Sequence, residues 1–196
     1  MSMICWVLGL APAQIKALRA TPSLASDVAM VAVLDEMTKT MPPEKRQAFQ
    51  QRMSEARARL APIGPLEQAL SIEKSWHMLH YLFTGHVDAS DAPGNALLTG
   101  QAVGENLGYG PPRLQDESRT REFGQFLAKV DVVRLQARVN FQEMTRLKVY
   151  SMPGGPGSPA QHESELRAEV AQYFPLLRDY VGQMAAKKYG LLIWIV

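Results

Sequence analysis

Leu191–Val196 reads Leu-Leu-Ile-Trp-Ile-Val, and it constrains the fold more than any other stretch of the chain. Six consecutive apolar residues are too few for a useful helix, so the run is predicted to be a buried strand. Met3–Leu10 (MICWVLGL) at the other end carries Ile4, Trp6 and Val7 and is equally short for a helix. Two buried strands at opposite ends of one chain most economically share a sheet, which would tie both termini into the core. The residues between them are mostly helical in pattern. The predicted class is therefore α+β: a mostly helical single domain with a small sheet that includes the N-terminal and C-terminal strands. A chain of 196 residues suits one domain of this kind, and it buries about 70% of its unfolded surface without staples.

Helix signals recur along the interior. Pro12 suits the first position of a short helix bearing Ile15 and Leu18, because its missing N–H would be unpaired there anyway. Thr21-Pro22 opens a second, read as Pro22–Met37, with Leu24, Val28, Val31 and Leu34 at helical spacing. After Pro42-Pro43, Glu44–Leu60 places Phe49, Met53, Ala56 and Leu60 on one face, with Lys45, Arg46, Arg52, Arg57 and Arg59 largely elsewhere. Those cations read as a solvated outer face in preference to an anionic-partner surface. Ser71–Gly85 (SIEKSWHMLHYLFTG) sets Ile72, Trp76, Leu79 and Phe83 in a core-facing stripe, and Gly85 is placed to end that helix.

Beyond it, His86–Gly110 is loop-like and glycine-rich, with Leu97 and Leu98 as inward anchors. Asp116–Val130 reads as a helix, Asp131 as the cap of another through about Lys148, and Ser151–Pro159 (SMPGGPGSP) as a flexible surface loop. Ser158-Pro159 starts the last helical region, striped by Leu166, Val170, Tyr173, Leu177, Tyr180 and Met184. Pro175 falls inside that pattern and is expected to kink or divide it.

Composition limits the function classes. The net charge is +2, from 21 basic and 19 acidic residues, too even a balance to mark a nucleic-acid surface. The one cysteine, Cys5, cannot form an intrachain disulfide, and a reducing compartment is the simplest setting. No Lys or Arg precedes the N-terminal apolar run, so it reads as a strand and not as a secretory leader, despite Ala11-Pro12-Ala13. No apolar run approaches the length of a membrane span, about 20 residues. Cytoplasmic localisation, no membrane association and no nucleic-acid partner are the resulting expectations.

Candidate chemistry is sparse. His77 and His80 lie three apart on a predicted helix with His86 close behind. The Glu of an H-E-x-x-H site is missing, so satisfied core histidines are preferred to a metal centre and no cofactor is expected. Gly100, Gly104, Gly108 and Gly110 lack the Gly-Lys-Ser/Thr ending of a phosphate loop. They read instead as a shaped turn, stiffened by Pro111-Pro112, on which Glu105, Tyr109 and Arg113 are presented. Cys5 has no histidine nearby in sequence, no G-x-S-x-G elbow occurs, and no residue is assigned a catalytic role. Trp6, Trp76 and Trp194 all fall on predicted core elements.

Taken in order, a Met-Ile start into a strand, Lys74-x-Trp76-His77-x-Leu79-His80-x-Leu82-x-Thr84-Gly85, Gly108-Tyr109-Gly110-Pro111, and a terminal helix running into a terminal strand resemble the YfbM-like family of bacterial proteins. The resemblance covers nearly all of residues 1–196, with 38–65 and 151–159 as local elaborations. It implies a bacterial cytoplasmic α+β protein and brings no catalytic residues with it. Families of this size are often found beside secreted toxins, and by that analogy the expected function is a non-enzymatic immunity protein that neutralises a cognate toxin. The alternative is a small-molecule enzyme or sensor, with His77, His80, Glu105, Tyr109 and Arg113 lining a pocket between the Trp76–His80 helix and the Glu105–Arg113 loop.

Overall fold

The computed structural model describes residues 3–33, 43–91, 94–150 and 152–196, with the backbone alone for 43–48. The two apolar termini form adjacent strands, β1 (Cys5–Leu10) and β5 (Gly190–Ile195). They pair antiparallel over their whole length, from Cys5 opposite Ile195 to Leu10 opposite Gly190. Three short strands complete the sheet: β2 (Leu70–Ser71), β3 (Gln101–Ala102) and β4 (Arg113–Gln115). The order is β2-β1-β5-β4-β3, so the C-terminal strand occupies the centre. Every residue of β1 and β5 is buried. An uninterrupted apolar run is what a strand covered on both faces requires.

Alternation along these strands separates two cores. Cys5, Val7, Leu191, Ile193 and Ile195 face the larger one. Its other walls are α4 (Trp76–Thr84), α5 (Glu117–Lys129), α6 (Val132–Ala137), α7 (Phe141–Arg146) and α8 (Pro159–Ala186). Trp6, Leu8, Leu10, Leu192 and Trp194 face the smaller one, packed by α1 (Pro12–Ala20) and α2 (Leu24–Ala32). Trp6 and Trp194 stack across the central strand pair at 6.4 Å. A further helix, α3 (Pro43–Leu60), lies on α2. Among its described side chains Met53, Ala56 and Leu60 are buried, and Arg59 makes a two-pronged ion pair with Asp27 at 2.8 and 2.7 Å. Arg52 and Arg57 are exposed.

Several elements differ from the sequence reading. Helix α2 ends at Ala32, and the expected extension over 34–37 lies outside the described residues, as do Pro42 and the side chains of Lys45 and Arg46. The expected helix from Asp131 to Lys148 is two helices. Asn140 takes the Glu143 N–H on its side chain at 2.9 Å and so caps a fresh start. Conversely, Pro175 does not divide the last helix: α8 runs unbroken for 28 residues. Its buried stripe also includes Phe174 and Val181, while Tyr173 and Tyr180 flank it half-buried. The Tyr180 hydroxyl accepts the Gly9 N–H at 2.9 Å and donates to the Gln68 carbonyl at 2.8 Å. Burial pushes its pKa up to about 12. The short strands β2, β3 and β4 carry no periodicity long enough to announce themselves.

Candidate functional site

Helix α4 is buried almost all round, from Trp76 to Phe83. A histidine in such a helix must find partners for its ring nitrogens. His77 Nε2–H donates to the Val87 carbonyl at 2.6 Å, while its Nδ1 accepts the Tyr150 N–H at 2.8 Å. His80 Nε2–H donates to the Asp88 carbonyl at 3.0 Å, and its Nδ1 is buried without a partner. Desolvation lowers both imidazole pKa values, against the opposing pull of those carbonyl bonds. The histidines thus pin the segment after Gly85 against α4 as neutral rings. Gly85 ends the helix at φ 77°, in the left-handed region, as its position implies. Among the described residues, no three His, Cys, Asp or Glu side chains group as metal ligands.

Trp76 joins this helix to the glycine-rich loop. Its indole stacks on His77 at 4.8 Å and on Tyr150 at 5.9 Å, and Tyr109 tilts against it at 5.4 Å. Trp76 Nε1–H donates to the Met3 carbonyl at 3.2 Å, and the Tyr150 hydroxyl accepts the Met3 N–H at 2.8 Å. Tyr109 itself is 43% exposed. Its backbone is fixed: the Tyr109 N–H donates to Ile195 at 3.2 Å, and Asn106 Oδ1 accepts from Gly108 and Gly110 at 2.8 and 3.0 Å. The structure therefore gathers His77, Tyr109 and Trp76. His80 turns toward Asp88, and Glu105 is exposed on the loop.

Arg113 begins β4, and its Nη1 is buried with no hydrogen-bond partner. The charge falls near Cys5, which is fully buried. Burial pushes the Cys5 thiol pKa far up, and the Arg113 charge offsets only part of that.

A separate cleft of about 370 Å³ opens between the Gly94–Leu97 segment and the first turns of α5. Gln115 lines it, 1% exposed. Its Nε2 donates to the Ala96 carbonyl at 3.0 Å and to that of Thr99, which fixes the amide and leaves Oε1 buried and unpartnered. Asn95, Arg119, Glu122, Phe123 and Phe126 also line the cleft. Gly94 sits at φ 87°, and a Cβ there would meet Phe126 at 2.6 Å and Phe83 at 2.9 Å. Only glycine fits against that aromatic wall. A second cleft of about 470 Å³ shares Asp91, Asn95 and Arg119 with the first and reaches Arg19 and Asp116. None of these lining residues stood out in sequence. A glutamine in a three-residue strand has no motif, and the acceptor left over on it exists only once Ala96 and Thr99 are in place.

These features define a YfbM-like α+β protein, helical on both sides of a small antiparallel sheet closed by its two termini. The chain belongs to the family described as domain of unknown function DUF1877, which it matches over residues 1–194. Its fold is similar to the crystal structure of YfbM, a protein of unknown function from Escherichia coli, with a TM-score of 0.59 at 17% identity. That likeness covers 98% of this chain and 99% of YfbM. No curated protein matches the sequence.

Proposed function

We propose that this protein is a non-catalytic binding protein of the bacterial cytoplasm, acting as an immunity protein that occludes a cognate toxin through the Glu105–Arg113 loop. The observation that carries the reading is Tyr109. Its ring is partly open to solvent, yet its backbone is bonded to β5 and its ring rests on a buried tryptophan. An aromatic side chain held in place before binding loses little entropy on binding, the property of residues that dominate interfaces. Arg113, half-buried at the end of the same segment, adds a cation beside it. An occluding interface of roughly 1,200–2,000 Å² would centre on this pair.

The test is protection. Cells expressing each toxin encoded beside this gene should survive when the protein is co-expressed. Tyr109→Ala should abolish survival while the protein still unfolds cooperatively, and Asn106→Ala, which frees the loop, should reduce survival. Undiminished protection by Tyr109→Ala would remove the loop from the interface, and no protection from any neighbouring toxin would remove the immunity reading.

The alternative, a small-molecule site between α4 and this loop, is favoured by one observation: the Arg113 Nη1 donor has no acceptor in the fold. Its ligand would carry an anionic acceptor. A thermal-shift screen of organic anions in which Arg113→Lys responds as the parent protein does would exclude that site.

A further inference from the structure

We infer that the cleft beside Gln115 binds a free α-amino acid with an apolar side chain. The inference rests on the cleft alone and does not depend on the toxin reading.

The unpartnered Oε1 of Gln115 is the starting point. A buried acceptor without a donor is costly, and the amide cannot rotate to satisfy it, because Nε2 is committed to two carbonyls. The cleft therefore favours a ligand that brings an N–H or O–H donor. The rim states the charge of that ligand. Glu122 and Asp91 line the same cleft, and two carboxylates on its wall favour an ammonium donor over a hydroxyl. Arg119 lines it too, and its guanidinium makes no hydrogen bond or ion pair among the described residues. A cation left free on a helix, its backbone N–H already capped by Asp116, is positioned for a carboxylate.

Phe123 and Phe126 complete the lining with an apolar wall. Ammonium, carboxylate and apolar side chain on one small molecule describe an α-amino acid. The volume, about 370 Å³, lies at the small end of ligand pockets, roughly 300–1,000 Å³. Other ligands fit less well. A phosphate or dicarboxylate would meet Asp91 and Glu122, and a polyamine or metal cation would meet Arg119. Neither would use the phenylalanine wall.

Binding is measured on the full chain by isothermal titration calorimetry and thermal shift, using each L-amino acid singly. At least one of Leu, Ile, Val, Met or Phe is expected to saturate the site below about 10 mM and to raise the melting temperature. The corresponding amino acid amide and the des-amino carboxylic acid should each bind at least about tenfold more weakly, since each lacks one charge-assisted contact. Gln115 also holds the Ala96 and Thr99 carbonyls, so its variants risk unfolding the segment. Arg119→Ala and Glu122→Gln are the informative changes because both side chains are exposed. Each should melt as the parent protein does without ligand and lose about tenfold in affinity. No titration with any of the five amino acids would overturn the proposal. Equal affinity for the amide and the parent amino acid, or unchanged affinity in Arg119→Ala, would overturn the zwitterion assignment.

Discussion

His77 and His80 illustrate how a residue type that suggests chemistry can serve structure. Each donates Nε2–H to a carbonyl of the Val87–Asp88 turn, and burial favours the neutral ring. The sign of the pH effect follows. The folded pKa of each lies below the ordinary value of 6.5, so the unfolded chain binds protons first as pH falls. Stability is fully present above pH 6.5 and declines as pH drops through that value toward the lowered native pKa values. Urea midpoints at pH 7.5, 6.5 and 5.5 should fall in that order, and His80→Gln should flatten the decline. Gly94 gives a second prediction. An alanine there requires a left-handed backbone and displacement of the Phe126 ring and of the Phe83 Cβ, so Gly94→Ala should lower unfolding stability by about 2–4 kcal/mol in urea titrations. Cys5 gives a third: the buried thiol should resist alkylation in the native protein and react fully once unfolded.

Among the elements, α8 carries the clearest tests. Ser158 accepts the Gln161 N–H, and the Gln161 side chain accepts the Ser158 N–H in return at 2.7 Å. Ser158→Ala should cost about 1 kcal/mol, read from denaturation midpoints. Pro175 sits within the unbroken helix, where it removes one backbone donor. Pro175→Ala should stabilise by about 1 kcal/mol or more, read from the same denaturation midpoints. What was legible in sequence follows the same logic. Elements with enough residues to show a pattern are legible: both terminal strands and the helix after Asp116, whereas the helix expected over Ser71–Gly85 begins only at Trp76, because Ser71 pairs in β2 and Glu73–Ser75 forms a 3-10 turn. Pro175 does not divide α8 because the stripe before and after it, from Leu166 to Met184, packs into one core and overrides a local breaker. Strands of two or three residues have no period, and β4, which places both Arg113 and Gln115, is one of these. The Tyr109 loop was visible because glycine spacing survives in sequence. The Gln115 cleft was not, because an orphaned acceptor depends on who else arrives.

For the whole molecule, the decisive contact joins the two ends: Ile4 and Val196 exchange both backbone hydrogen bonds, at 2.6 and 3.0 Å. β5 lies at the centre of the sheet and supplies residues to both cores. Deleting Leu191–Val196 should therefore abolish cooperative unfolding in calorimetry, where an edge-strand deletion would only lower the transition. The pairing also closes nearly the full length of the chain, and folding that depends on so distant a contact is slow. A time order follows for the chain during its synthesis. The strand that holds both cores together is made after every other element of this fold, so a ribosome that stalls anywhere before Gly190 releases a product with two open cores and no sheet centre. Arrival of β5 is then the event that separates a closed fold from a substrate for proteolysis.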